Sequence, residues 1–358
     1  MHERLYCPGE DDAALLSLRA KVWGADHPHT NPAFFKWLFR DNPNGEGSGI
    51  LKIRDDTIIG FAGFIPRPCQ AGEQTLKMAH GLEFMVDPET MRHLNRVPFQ
   101  LMAAHNQRIE EAGNDFAINF PNDSSVRMLT SKHVGYQQVF EPQLMVRPLP
   151  GFSFLTFEKG AIFSQILKTC AANLASVYST LISLRFRNDI QIEELERFDD
   201  RFDDLNKRLA SDGKIRLNRD SKTLNWRFCQ HPIYQYQKYA AIQQGQLVGY
   251  IVMSPRQLFN TKAGLICDLS VEGNDPRVIA LLVNALCKRK EEKISILVDQ
   301  QIPGSAQMRA LTRCGFFKIP PSHNPKQFRM VARVSTDRGK VASHPDNWAF
   351  SWGDMDVV

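Results

Sequence analysis

Trp37-Leu38-Phe39-Arg40-Asp41-Asn42-Pro43 returns 189 residues later as Trp226-Arg227-Phe228-Cys229-Gln230-His231-Pro232. Both segments read W-x-F-x-x-[N/H]-P. The same offset carries Ile58-Ile59-Gly60-Phe61 onto Leu247-Val248-Gly249-Tyr250, and Pro66 onto Pro255. The chain has only five tryptophans, so several landmarks in one register mark a duplication. An offset near 180 then aligns Val134-Gly135-Tyr136 with Cys314-Gly315-Phe316. Each glycine follows a helical stretch (124–132 and 305–313), where a left-handed residue closes a helix. A length of 358 residues is about two domains. The repeat makes those two domains copies of one fold.

Each copy predicts the same run of elements. A helical start leads into the W-x-F segment. A hairpin follows, 49–54 with 57–65 in the first copy and 239–243 with 246–254 in the second. Its turns are Asp55-Asp56 and Gln244-Gly245. A longer strand comes next (77–86; 263–271), then a helix (97–112; 276–291), a short apolar strand (115–120; 294–299), a second helix and a closing strand pair. Strands alternating with helices on a mixed sheet make each half α/β. The expected organisation is a first domain over 1–150, a helical linker over 151–192, a second domain over 193–335 and an aromatic tail over 336–358. Phe198-Asp199-Asp200-Arg201-Phe202-Asp203-Asp204-Leu205 reads as the solvated first helix of the second copy.

Apolar residues at 43% and charged residues at 23% fit a globular chain rather than a disordered one. The net charge of +5 is a mild bias toward anionic partners and selects none of them. The basic residues are scattered, which speaks against a nucleic-acid surface. Seven cysteines, none at CxxC spacing, read as free thiols in a reducing cytosol, and no metal ligand set is visible. Met1-His2-Glu3-Arg4 opens no apolar signal segment, so the expected location is cytoplasmic. Residues 161–184 carry one charge, Lys168, and apolar residues at helical spacing on one face only. A spanning helix would be apolar all round, so this one is expected to pack on the protein. A lid over a long apolar substrate, or contact with a membrane surface, is the other role open to it.

This order of elements resembles the GCN5-related N-acetyltransferase (GNAT) fold. The duplicated form resembles bacterial tandem-GNAT acyltransferases. The residues that carry the resemblance are Leu224-Asn225-Trp226-Arg227-Phe228, Asn119-Phe120-Pro121-Asn122, and Val86-Asp87-Pro88 leading into a basic loop, with the two helix-Gly-aromatic endings. The tail Asn347-Trp348-Ala349-Phe350-Ser351-Trp352-Gly353-Asp354-Met355-Asp356 also resembles one seen in that group. The resemblance implies a donor of the acetyl-CoA or longer acyl-CoA kind, or an acyl carrier protein, and a small-molecule amine as acceptor. In the family a central strand splays from its neighbour and pairs its backbone with the pantetheine arm. A glycine loop then opens a helix whose N–H groups hold the pyrophosphate.

Mapped onto this sequence, the strand backbone is Phe84, Met85 and Val86, and the phosphate side is Arg92, Asn95, Arg96 and Val97. Asn122 is a further contact to the arm, with helix capping as its default role. The loop lacks the family's glycines, since Asn95 or Arg96 stands where one belongs. In the second copy Val271-Glu272-Gly273-Asn274-Asp275-Pro276 is short and acidic, so the first copy is the better acyl-CoA site. Glu83 is the first candidate for the base, directly or through water; its alternative is an ion pair with an arginine. His80 has a suitable intrinsic pKa or is a structural residue. Asp268 is the matching carboxylate of the second copy, beside Cys267. Trp37 and Asp354 are the acceptor-side candidates. The tail is expected to dock, its aromatics spaced by two on one strand face.

Three functions follow from these readings. The first is transfer of an acyl group to the amine of a sugar, an amino acid or a secondary metabolite. The second is an aminoacyl-tRNA-dependent transferase of the tandem-GNAT kind, the one setting in which a nucleic acid would be a partner. The third is a non-catalytic GNAT-fold binding protein.

Overall fold

The computed structural model describes residues 1–94, 96–149, 181, 189–258, 261–288, 294–320, 324 and 327–355. The chain forms two compact units. One comprises Met1–Phe140, Ala210–Ile233 and Phe328–Trp348; the other comprises Glu141–Leu209, Tyr234–Gln327 and Ala349–Val358. The units therefore interleave in sequence, and compact bodies do not divide at residues 150, 193 and 335.

The first unit is built on a seven-stranded sheet in the order β1-β2-β3-β6-β7-β17-β8. Its strands are β1 (His2–Leu5), β2 (Ser48–Arg54), β3 (Thr57–Pro66), β6 (Met78–Val86), β7 (Phe116–Asn119), β8 (Gln137–Phe140) and β17 (Met330–Val334). A small second sheet joins β4 (Cys69–Ala71), β5 (Gln74–Leu76) and β11 (Arg216–Leu217). The β2–β3 turn is the expected Asp55-Asp56, with φ of 48° and 60°. Aspartate tolerates that left-handed region, and two such residues match the twist of a hairpin. The helices of this unit include α1 (Asp12–Trp23), α2 (Pro32–Phe39), α3 (Pro88–His93), α4 (Val97–Glu111), α5 (Asp123–Leu129) and the helix Ser221–Phe228, and of these α1 and α4 pack on the sheet strands. α2 begins where it does because Asn31 Oδ1 accepts from Ala33 N–H at 2.9 Å and Pro32 presets the first turn. It buries Phe34, Phe35, Trp37, Leu38 and Phe39.

The second unit repeats the plan, in the order β10-β12-β13-β14-β15-β9-β16. Its strands are β9 (Gln143–Pro148), β10 (Ile190–Glu194), β12 (Gln237–Gln243), β13 (Gln246–Leu258), β14 (Thr261–Val271), β15 (Ile296–Gln301) and β16 (Phe317–Lys318). Gln244 and Gly245 form its hairpin turn at φ 51° and 78°. The helices Pro276–Lys288 and Ala306–Arg313 pack a core around Ile279, Leu282, Leu297 and Leu311. The helix expected over 198–205 begins instead at Arg201, whose N–H bonds the Asp199 carboxylate at 3.0 Å, and runs to Ala210. It is not merely a solvated element, because Phe198 and Phe202 meet edge to face at 4.8 Å and both pack on Tyr250.

The closing strands are exchanged. β9 follows β8 in sequence but pairs with β15 and β16 of the second sheet. β17, at the far end of the chain, pairs with β7 and β8 of the first. Each copy thus lends a strand to the other sheet, where the sequence reads as two local closing pairs. The tail is buried at Trp348, Phe350 and Trp352. It docks as a bridge of Trp348 to Ile215 and a tight turn at Trp352–Asp354, not as one strand face. The linker segment 151–180, the expected amphipathic helix apart from an exposed Leu181, Asn95, Cys170 and Asp356 lie outside the described residues.

Candidate active site

β6 and β7 run parallel for only three pairs, Met78–Phe116, Ala79–Ala117 and His80–Ile118. Beyond His80 the strands part, and the β7 side of residues 81–86 is left without a ladder partner. The register of β6 against β3 slips across this stretch, and Glu83 takes a left-handed φ of 57°. A non-glycine residue in that region is a bulge that re-aims the strand, and such strain is held by its surroundings. Here the holder is Arg19 from α1, whose Nη2 donates to Glu83 Oε1 at 2.8 Å with both side chains buried. Phe34 and Phe35 lie within 5.6 Å and 5.0 Å of that guanidinium. Glu83 therefore takes the arginine-paired form, and the pair stands at the mouth of the fork.

His80 marks the point of divergence. It is 1% exposed, and neither ring nitrogen has a hydrogen-bond partner among the described residues. Burial, then the nearby Arg67 and Arg227 guanidiniums, hold its pKa well below the usual imidazole value, so the ring is neutral. Phe120 meets it edge-on at 5.8 Å. Across the fork the Asn119 amide lies flat on Gly81; a Cβ there would sit 2.5 Å from Asn119 Oδ1. Glycine is required at 81 by this close approach. The Tyr136 hydroxyl faces the same amide, and burial raises its pKa. Asn119 was not singled out from sequence as a site residue; its signal was only its place in the Asn119-Phe120-Pro121-Asn122 stretch. Asn122, which was, caps α5 through Ser125 N–H at 3.0 Å and Ser124 Oγ at 2.7 Å.

The segment after β6 is a capped helix rather than an open loop. Asp87 accepts from Glu89 N–H at 2.9 Å and Thr90 N–H at 3.3 Å and starts α3. The carboxylate is depressed by those amides and by Lys21, against the cost of burial. Arg92, in the last turn of α3, and Arg96, just before α4, are both exposed, and Val97 is buried. Of the first α4 donors, Val97 N–H is taken by Leu94 O and Pro98 has none. The bare β6 edge with Phe84, Met85 and Val86 suits a pantetheine-like arm, and the two arginines suit phosphate. The glycine cradle for a pyrophosphate is replaced by helix.

The second unit has the same fork. β14 and β15 pair at Ala263–Ile296, Gly264–Leu297 and Leu265–Val298, then part. There Asp268 accepts from Tyr250 Oη at 3.1 Å, Ser270 Oγ at 3.2 Å and Ser351 Oγ at 2.9 Å. Asp354 accepts from Ser351 N–H at 2.9 Å. Of the two carboxylates, read from sequence as a catalytic and an acceptor-side residue, Asp268 thus holds the tail's Ser351 and Asp354 caps the tail's own turn. Cys267 Sγ donates to Leu265 O at 3.4 Å as a buried thiol. Asp275 and Glu272 at the start of the following helix are paired with Arg277 and Arg208, which leaves acid where a phosphate cradle would need donors.

Trp37 is not placed to touch an acceptor. It is 2% exposed and stacks on Trp226 at 4.7 Å, with Arg227 over its ring at 5.6 Å and His231 at 4.4 Å. Among the described residues no cluster of three His, Cys, Asp or Glu could hold a metal ion, and no helix is long and apolar enough to cross a membrane.

No family model matches the sequence, and a search of curated proteins finds no relative. Solved structures do match. A GCN5-related N-acetyltransferase from Anabaena variabilis aligns with TM-score 0.65 and 12% identity, over 96% of this chain and 75% of that one. One from Kribbella flavida gives 0.62 and 14%, over 96% and 74%. Eis1 from Mycobacterium abscessus gives 0.57 and 12%, over 96% and 75%. At these identities the likeness defines the fold: the chain has the GNAT fold, an α/β architecture with two mixed-sheet bodies.

Proposed function

We propose that this chain is a GNAT-type N-acyltransferase with its working site in the fork of the first unit. The observation that supports this reading is the parting of β6 from β7 just beyond His80, where a buried, neutral imidazole has no hydrogen-bond partner among the described residues. Unsatisfied buried polar groups are rare in folded proteins and collect where a ligand completes them. Phe84, Met85 and Val86 would hold the pantetheine arm by backbone hydrogen bonds, with Arg92 and Arg96 at its phosphates. When bound, the acyl-CoA would supply the acyl group as a thioester. The acceptor amine forms a C–N bond as the C–S bond breaks, and its proton passes to a base. Glu83 is the proposed base, directly or through one water, in a role that must be exercised with the Arg19 ion pair on its Oε1 kept rather than in place of it. His80 and the Asn119 amide orient the reacting groups by hydrogen bonds. The acceptor is a small amine, of a sugar, an amino acid or a secondary metabolite.

A second reading concerns the donor. The capped α3 leaves few free N–H groups for a pyrophosphate. That favours a donor without one, such as an acyl carrier protein or an aminoacyl-tRNA. Both readings use the same fork. The test is acyl transfer by the full chain to a panel of amines, with acyl-CoA, acyl carrier protein and aminoacyl-tRNA as alternative donors. Transfer that falls a hundredfold or more in Glu83→Gln with unchanged donor binding supports the assignment. No transfer and no binding with any donor overturns it.

A further inference from the structure

β6 runs through Asp87 straight into α3, and a turn closed by Val97 N–H on Leu94 O leads from α3 into α4. Leu94 packs on the same cluster of the core as Phe84 of the strand edge and Val126 and Met128 of α5. This corner therefore stands at the outer end of the seat assigned to the pantetheine arm. Of the six large apolar side chains exposed among the described residues, two flank it: Met91 at 47% and Phe99 at 40%. Phe99 is the only aromatic of the six. Single exposed apolar residues are ordinary, but two beside one corner at the mouth of a site are the kind of surface a partner covers. The corner is also basic. Arg92 and His93 in the last turn of α3 and Arg96 just before α4 are exposed. Arg96 and Phe99 are i, i+3 neighbours on the solvent side of α4. Surface arginines elsewhere are held by acids, as Arg201 is by Asp199 and Arg277 by Asp275. Arg92 and Arg96 have no such partner among the described residues, and Glu89, the one acid of α3, bonds neither.

We propose that this corner docks an acidic carrier protein, which delivers the acyl group on a phosphopantetheine arm. The inference rests on the acyltransferase reading and fixes its donor. The start of α4 has no glycine cradle, and its first two positions offer a pyrophosphate nothing, since Val97 N–H is taken by Leu94 O and Pro98 has none. A carrier's arm ends instead in a single phosphodiester, which two arginines hold without a nest of backbone donors. Met91 and Phe99 would face water around a bound CoA, whereas the apolar ridge of a protein helix buries them. Arg92 and Arg96 meet acidic side chains at the rim, where opposite charge steers the encounter and fixes its register. A nucleic acid calls for a broad basic surface, which the scattered charge of this chain does not provide. From the corner the arm runs along Val86, Met85 and Phe84 into the fork. There an acyl thioester and a neutral amine give an amide and the carrier's free thiol.

Calorimetric titration of the full chain tests this with one butyryl chain on three carriers: the acidic carrier protein of bacterial fatty-acid synthesis, CoA, and pantetheine alone. The carrier protein is expected to bind more tightly than CoA by about tenfold, an advantage that narrows at high salt. Phe99→Ser and Met91→Ser change exposed side chains only. Each should weaken the carrier protein several-fold and leave butyryl-pantetheine unchanged. A carrier protein that binds no more tightly than CoA overturns the proposal. So does carrier binding untouched by both substitutions, and so does aminoacyl-tRNA bound in the carrier's place. If butyryl-CoA binds and is used while the carrier protein is not, the acyltransferase reading stands and the docking surface falls. If no donor of any kind binds, both fall.

Discussion

Trp37 and Trp226 are bonded to each other reciprocally: Trp37 Nε1–H donates to Trp226 O at 2.9 Å, and Trp226 Nε1–H to Trp37 O at 3.0 Å. Their rings stack at 4.7 Å and 16°. The repeated motif has thus become its own partner, two copies meeting with two-fold character inside the first unit. Trp226→Ala removes a buried indole and one of the two bonds, and orphans the other indole's setting. The expected cost is about 3–5 kcal/mol, by urea unfolding of the full chain. Trp37→Phe keeps most of the stack and should cost about 1–2 kcal/mol. Near-neutral results for both would remove this pair from the account of stability.

Gly81 and Asn119 set the width of the first fork. Gly81→Ala places a Cβ 2.5 Å from Asn119 Oδ1 and 2.7 Å from Nδ2. The amide must move, at about 1–3 kcal/mol of overpacking. Asn119→Ala in the same chain should recover most of that loss, a coupling that a double-mutant cycle measures. Donor binding is expected to fall in Gly81→Ala whether or not stability is recovered. Simple additivity of the two substitutions would show that the contact does not exist in solution.

His105 gives the first unit a pH dependence. It is buried, with Nε2 on Gly63 O at 3.1 Å, and burial lowers its pKa to about 4. The folded state resists the proton that the unfolded chain accepts below about 6.5. Stability from this group is therefore whole above pH 6.5 and lost as pH falls toward 4, by about 3 kcal/mol. Comparing the chain with His105→Gln isolates this from Asp299, whose buried carboxyl has a pKa raised to about 7 and acts with the opposite sign. A stability difference that stays constant from pH 7 to pH 4 would refute the assignment.

Much of the fold was legible because its signals are local. Asp55-Asp56 and Gln244-Gly245 announce two-residue turns, and Gly315 closes a helix, whereas the helix expected to run up to Gly135 ends at Leu129 and that glycine takes its left-handed φ in the turn that follows. The repeat made the fold class firm. What the sequence hid was non-local. β8 and β9, like β16 and β17, read as closing pairs, because alternation shows that a segment is a strand without saying which sheet it joins. Arg19 and Glu83 are 64 residues apart, so the ion pair was visible only as one of two fates for Glu83. Gly81 reads in sequence as a close backbone approach or a bulge, but nothing in His80-Gly81-Leu82-Glu83 places the left-handed residue at Glu83. Asp268 reads as a site residue because it is the central-strand counterpart of Glu83, and Asp354 because it is a carboxylate in an aromatic tail; in the structure Asp268 accepts from the tail's Ser351 and Asp354 caps the tail's own turn.

The central claim is that one fork takes an acyl donor and the other is closed by the tail. Native mass spectrometry of the full chain, titrated with acyl-CoAs of graded chain length and with an acyl carrier protein, tests it most directly. The expected result is saturable binding of one donor per chain, weakened several-fold by Arg92→Ala or Arg96→Ala and unchanged by Asp268→Asn. Two donors per chain, or no donor bound at any length, would contradict it.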